Sequence, residues 1–229
     1  LPIRRLAEVV REANAGRDEA DRCLLVVDGV HGLGAVDEAV APMGCDFFAA
    51  GTHKWMLGPR GTGLVWGRAD AWPHVRPTVP SFDATEPFAA WSEGRPLGPQ
   101  TQAAWVSPGG FYAYEHHWAV EAAVRFHEGL GRARIAARIL ELNGRFRSEL
   151  GHMPRIRLHT PASDALSAGI VCFEVEGLEP RQVVEGLRAK RVLATTTPYA
   201  VTYARVSAGI MVQPEEIETA LRAIRGLAA

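Results

Sequence analysis

Cysteine is scarce in this sequence: Cys23, Cys45 and Cys172 are scattered along 229 residues. An odd and unclustered set excludes a disulfide framework and a CxxC metal pair, and it fits a reducing, cytoplasmic setting. Net charge is equally thin, at -1 with histidine neutral. So weak a field excludes general attraction to nucleic acid or to an anionic membrane, and a small-molecule partner is expected instead. No apolar run approaches the ~20 residues that cross a bilayer, and the first residues lack the apolar core of a secretory signal. An initiating Met is also missing. The chain opens Leu1-Pro2-Ile3 and enters a helical pattern at once, which raises the expectation of sequence upstream. What is present suits a globular protein: 47% of residues are hydrophobic and 22% charged, enough for one large and one small domain.

Ile3, Leu6, Val9 and Val10 recur at helical spacing, so residues 3–13 read as an amphipathic surface helix. Cys23-Leu24-Leu25-Val26-Val27 is an unbroken apolar run that stops at Asp28-Gly29, the pattern of a strand buried on both faces. Residues 37–43 read as a short crossover, and residues 46–50 as a second buried strand running into Gly51-Thr52-His53-Lys54. Strands joined by a right-handed crossover are parallel, so Asp28 and Lys54 emerge at the same sheet edge, where open α/β folds bind ligands. With strands ~4.8 Å apart, the two residues are expected to converge on one small aromatic molecule held at both ends.

Val27-Asp28-Gly29-Val30-His31-Gly32-Leu33-Gly34, then Ala50-Gly51-Thr52-His53-Lys54-Trp55, then Gly58-Pro59-Arg60-Gly61-Thr62-Gly63 together resemble the core of the class V aminotransferase family. That family includes cysteine desulfurases and isopenicillin-N-epimerase-like proteins. The resemblance implies a pyridoxal 5′-phosphate (PLP) enzyme of fold type I: an α/β protein with part of a large domain built on a mainly parallel sheet, plus a small C-terminal α/β domain. The expected division is 1–107 for the large domain with its active-site loop, 108–152 for connecting helices and 153–229 for the small domain.

The resemblance also implies roles. PLP acts as an electron sink, deepest when its ring nitrogen is protonated, and a carboxylate at Asp28 would hold that proton. Lys54 would carry the cofactor as an imine, yield it to the amine of an amino-acid substrate, and then move protons at the α-carbon, which Arg could not do. His31 would donate to the phenolic oxygen of the cofactor, and His53 would help bind the phosphate. Many relatives have Ser where this chain has Gly51, so Thr52 is expected to offer a hydroxyl instead. The active form is expected to be a homodimer with the site near the subunit interface. Taken alone, Asp28-Gly29 reads equally as a turn after a core strand, and His53-Lys54 as a polar loop. The glycine-rich stretch 58–63 lacks a phosphate-loop pattern and leads into a strand, so it reads as a turn between two strands.

Residues 68–107 are rich in Pro, Trp and Gly and weak in periodicity, the pattern of a long functional loop. Trp72, Phe82, Trp91 and Arg95 are candidates for the substrate entrance, or for packing of the loop alone. Ser107-Pro108-Gly109-Gly110 precedes a helix whose free N–H groups can bind phosphate, with Gly110 in place of a Thr found in many relatives. Residues 111–150 read as helical with a break at Gly129-Leu130-Gly131, and Ile135, Ile139, Leu142, Phe146 and Leu150 form an apolar stripe. His116, His117 and His127 lack ligand spacing, so no metal is expected. Strands are expected over 170–175, 192–196 and 203–207, with helices opened by Pro180 and Pro214. Arg205 matches the family's receiver of the substrate α-carboxylate, a role suited to its two-pronged donor set; as an isolated residue it reads as an exposed charge on an edge strand. With Cys23 and Cys172 read inside strands and Cys45 before one, no mobile thiol is expected and desulfuration is disfavoured. Transamination is the expected reaction, with an epimerase or C–S lyase, or an inert fragment, as alternatives.

Overall fold

A computed structural model describes residues 1–79, 84–98, 101–107 and 112–229. The chain divides into two compact units, one made of residues 2–33 and 38–126, the other of Leu1, 34–37 and 127–229.

The first unit holds a three-stranded sheet in the order β1-β2-β3, where β1 is Val26–Asp28, β2 is Phe47–Gly51 and β3 is Gly63–Gly67. β1 and β2 are parallel, with Val27 opposite Phe48 and Asp28 opposite Ala49. β2 and β3 are antiparallel, with Gly51 opposite Gly63, so the glycine-rich stretch is a turn between strands as expected. The crossover between β1 and β2 contains a single short 3-10 turn, Ala41–Met43. Val27, Met43, Cys45, Phe48 and Ala50 form the core under the sheet. Helix α1 (Ile3–Ala13) has the expected bounds and buries Ala7, whose Cβ faces the bare Cα of Gly44.

Two expectations for β1 need correction. The strand is three residues long, and Cys23 lies outside it and is exposed. Burial on both faces also fails, because β1 is an edge strand whose Val26 is 64% exposed while Val27 is buried. The stretch 68–107 is not loop throughout: it contains α2 (Thr85–Ser92). Its Pro87 sits in the first turn, where a missing N–H costs little, and so short a helix leaves little periodicity to read. α3 (Tyr114–Leu130) and α4 (Arg132–Gly151) meet at Gly131, whose φ of 87° is open to glycine at low cost.

The second unit holds a four-stranded antiparallel sheet in the order β4-β5-β7-β6, with β4 Ile156–Leu158, β5 Val171–Val175, β6 Thr195–Thr196 and β7 Ala204–Val206. β4 escapes notice in the sequence because three residues carry no usable alternation. The expected strand over 192–196 shrinks to two residues: the Val192 N–H bonds to the Leu187 carbonyl at the end of the preceding helix, and Leu193 is 88% exposed. Alternate residues Val171, Phe173 and Val175 of β5 are buried beneath α4, α5 (Pro180–Ala189) and α6 (Pro214–Leu227). Both later helices open with Pro and a reciprocal capping box: Gln182 receives the Glu179 N–H and Glu216 receives the Gln213 N–H, each at 2.8 Å.

Polar groups are buried in this unit too, Asn143 most completely. Asn143 on α4 is fully buried; it donates to the carbonyls of Ile139 and Ala208 and accepts the Ala208 N–H, at 2.8, 2.8 and 3.0 Å. Asn143→Ala would leave a buried donor and acceptor of Ala208 without partners, a loss of about 2–4 kcal/mol. Urea denaturation of the variant is expected to show that loss as a lower midpoint at constant slope.

Candidate functional site

The site is built at the tips of β1 and β2. β1 ends at Asp28, and the Gly29 N–H extends the ladder to the Ala49 carbonyl at 2.7 Å. The chain then turns tightly, with the N–H groups of Gly32 and Leu33 both reaching the Gly29 carbonyl. The Asp28 carboxylate takes part, since its Oδ1 accepts the Val30 N–H at 3.1 Å. Only glycine fits next to it: a Cβ at Gly29 would lie 1.9 Å from the buried ring of Phe48.

Beyond β2, residues 52–62 form a loop pinned from within. The Thr52 N–H bonds to the Thr62 carbonyl and the Gly58 N–H to the Thr52 carbonyl, at 3.1 and 2.8 Å. Thr62 gives its hydroxyl proton to the Pro59 carbonyl. It therefore accepts from the Thr52 hydroxyl, with which it is in close contact. That geometry uses the single hydroxyl proton of Thr52 inside the loop and leaves none for a phosphate. Thr52 is 4% exposed, with its hydroxyl engaged within the loop. His53 is exposed, with its ring lying over the Cα of Gly51. A side chain at Gly51 would meet that ring at 2.8 Å, so the departure from Ser goes with the placement of His53.

The two tips meet in side chains. Lys54 Nζ lies 3.2 Å from His31 Nε2, and the Trp55 indole N–H donates to His31 Nδ1 at 3.4 Å. One turn of chain beyond Asp28 thus brings His31 to Lys54 and Trp55. The involvement of Trp55 is missed by sequence reasoning, although its place next to Lys54 in the motif is the signal that could have found it. Asp28 also lines a cavity of about 870 Å³ together with Val30, Gly51, Tyr112 and His117, and the Tyr112 and His117 rings meet edge to face at 5.6 Å. Lys54 is not part of the described wall of that cavity.

The other candidates divide. Arg205 belongs to the second unit, in the middle of β7, where its Nε donates to Thr195 Oγ1 at 2.7 Å. β7 lies between β5 and β6, so Arg205 is not on an edge strand. Trp72 packs edge-on against buried Phe47 at 5.1 Å, a structural contact of the first unit. Arg95 is bound by Glu86 through two hydrogen bonds and by Glu93 through one. These carboxylates raise the Arg95 pKa above its ordinary value, and a substrate would have to compete with them. Trp91 is 66% exposed beside Phe88. Phe82 and Pro108-Gly109-Gly110 lie outside the described residues. His116 Nδ1 donates to the Arg60 carbonyl at 3.0 Å.

The thiols differ in reach. Burial pushes the Cys45 thiol above its ordinary range, and burial does the same to Cys172 on β5. A raised pKa keeps both protonated at neutral pH, whereas Cys23 is exposed. Alkylation at neutral pH is expected to modify Cys23 first, with Cys45 and Cys172 reacting only after denaturation, as read by mass spectrometry of the peptides.

The donor set suits one kind of cofactor. It offers an amine able to capture an aldehyde (Lys54), an imidazole able to donate to a phenolic oxygen (His31) and a carboxylate able to hold a pyridinium proton (Asp28), which together match PLP. Comparison with known proteins agrees. The sequence profile described as Aminotransferase class-V matches residues 5–220. Isopenicillin N epimerase of Streptomyces clavuligerus is 29% identical over 219 residues, covering 88% of this chain and 52% of that protein. A probable hercynylcysteine sulfoxide lyase of Mycobacterium tuberculosis is 31% identical over 172 residues, covering 75% and 39%. The chain spans about half the length, or less, of these curated relatives. Among solved structures, the cystine C–S lyase C-DES in complex with cysteine persulfide superposes with a TM-score of 0.79 at 22% identity, covering 98% of this chain and 57% of that one. Cysteine desulfurase from Thermococcus onnurineus NA1 gives 0.75 at 20% identity, covering 99% and 56%.

Proposed function

Because the chain belongs to the class V aminotransferase family, with the fold and the PLP cofactor that go with it, we propose that it acts on an amino acid through Lys54, with transamination as the net reaction. When bound, the cofactor supplies the aldehyde that captures an amine and the ring that stabilises negative charge at the α-carbon. The protein supplies the rest. Asp28 holds the proton on the ring nitrogen, Lys54 Nζ takes the α-proton and returns it, and His31 offers a hydrogen bond beside that amine. His53 is the phosphate contact of this reading, and Arg205 the receiver of the substrate carboxylate.

The observation that carries this reading is the contact of Lys54 with His31 at the paired tips of β1 and β2, one turn from Asp28. Transamination needs one amine that moves one proton between two carbons. Epimerisation in its two-base form needs a second acid on the opposite face. Even so, the epimerase and lyase relatives favour those reactions as the second reading. Desulfuration needs a thiol that reaches the substrate. Cys45 is buried and Cys172 sits in β5, while Cys23 precedes β1, at the sheet edge opposite Asp28. Five residues of extended chain place Cys23 roughly 16 Å from that tip.

A homodimer belongs to the same proposal: Tyr114 and Trp118 on α3 are 56% and 75% exposed, an apolar face of the kind that subunit contacts cover. A cytoplasmic setting suits the three free cysteines. No helix among the described residues is long and apolar enough to cross a membrane.

The test uses the protein in its full natural length. With PLP added, borohydride reduction followed by peptide mapping is expected to label Lys54, and the chain has only one other lysine, Lys190, on the exposed end of α5. Amino acids incubated in heavy water should then exchange the α-proton. A keto-acid product supports transamination, while an inverted amino acid or released sulfur supports the second reading. Absence of the label on Lys54 would refute both.

A further inference from the structure

His31 meets Trp55 and Lys54 through opposite ring nitrogens, with the Trp55 Nε1–H 3.4 Å from Nδ1 and Lys54 Nζ 3.2 Å from Nε2. An indole N–H donates and never accepts, so Nδ1 must receive it with a lone pair. A neutral imidazole carries one ring proton, and that proton is then on Nε2. It points at Lys54, which can accept it only as the unprotonated amine, the same form that an aldehyde requires. The geometry points to Trp55 as a positioning residue that fixes His31 as the Nε2–H tautomer and so turns a proton donor toward Lys54.

Two further observations support this role. The His31 and Trp55 rings meet edge to face at 6.5 Å with an interplanar angle of 72°, so the contact orients the imidazole as well as binding it. Trp55 and Lys54 are consecutive on a loop held by the Leu57 N–H to the Lys54 carbonyl and by the Gly58 N–H to the Thr52 carbonyl. Donor and amine therefore reach His31 from consecutive residues of one hydrogen-bonded loop. A histidine beside an amine has two tautomers to choose from, and only one offers the amine a proton donor. Trp55 makes that choice before any ligand arrives. The functional value of this arrangement rests on the reading of Lys54 as the cofactor-carrying amine, whereas the tautomer requires only that Lys54 be unprotonated, since an ammonium would donate to Nε2 instead.

The test is long-range proton–nitrogen correlation on this chain with nitrogen-15 in its imidazole rings, at a pH well above the ordinary histidine value of ~6.5. His31→Gln assigns the signals. The expected spectrum shows a bare Nδ1, a protonated Nε2 and a coupling across the hydrogen bond from the Trp55 indole proton to Nδ1. Trp55→Phe keeps an aromatic edge and removes the indole N–H. Its ratio of Nε2–H to Nδ1–H should fall about fivefold, the effect of one net hydrogen bond. A proton on Nδ1 in the unsubstituted chain, or an unchanged ratio in Trp55→Phe, overturns the assignment. Should Trp55→Phe fail to fold, the coupling in the unsubstituted chain decides: its presence supports the role and its absence defeats it. If borohydride leaves Lys54 unlabelled while that coupling is present, the reading of Lys54 falls and the role of Trp55 toward His31 stands.

Discussion

Lys54→Arg is expected to abolish the borohydride-stable adduct and to lower turnover of amino acids at least ~10³-fold, the scale of a lost proton-transfer group. The substitution keeps the positive charge and most of the length, so a loop that needed only a cation at this position would tolerate it. An arginine stays protonated and has no lone pair to offer an aldehyde or an α-proton. Lys190→Arg serves as the control, because that residue caps the exposed end of α5 in the other unit. Retention of the adduct in Lys54→Arg would show that a different amine holds the cofactor.

Gly29→Ala should be the most damaging single methyl group in the first unit. The added carbon would fall 1.9 Å from Cζ and 2.1 Å from Cε2 of Phe48, whose ring is 2% exposed and stands in the strand opposite Val27. The ring has no open space to enter, so the backbone after Asp28 must move instead, at about 1–3 kcal/mol. The effect reaches beyond stability, because that backbone carries the Asp28 carboxylate and the turn to His31. Thermal melts should show the stability loss, and a PLP titration should show at least about tenfold weaker binding, equivalent to ~1.4 kcal/mol. Gly98→Ala, where an added Cβ meets nothing within 4 Å among the described residues, should change neither.

Much of this site was legible in the sequence because its geometry follows from two simple rules. An apolar run ending in Asp28 and a second ending before Lys54 imply parallel strands, and parallel strands place their ends together. The helices of the second unit were equally readable: Ile135, Ile139, Leu142, Phe146 and Leu150 repeat at helical spacing, and all five are buried. Failures fell where local pattern is silent. Val26 is apolar in the sequence and exposed in the structure, since hydrophobicity states a preference and not what covers a strand. Helix α2 and strand β4 are too short to show a period. The contact of Thr52 with Thr62, ten residues on, also has no local signal in the sequence. Trp55 likewise has no visible partner in the sequence, because His31 reaches it from the turn after β1.

The internally pinned loop at residues 52–62 has a kinetic consequence. Its cross-links are present without any ligand, so much of the conformational freedom of the backbone around Lys54 is already lost in the folded chain. If Lys54 captures the cofactor as proposed, side-chain rotations are what remains to settle. Native-state hydrogen exchange should report this as slow amide exchange at Thr52 and Gly58 without any ligand, with little further slowing on addition of PLP.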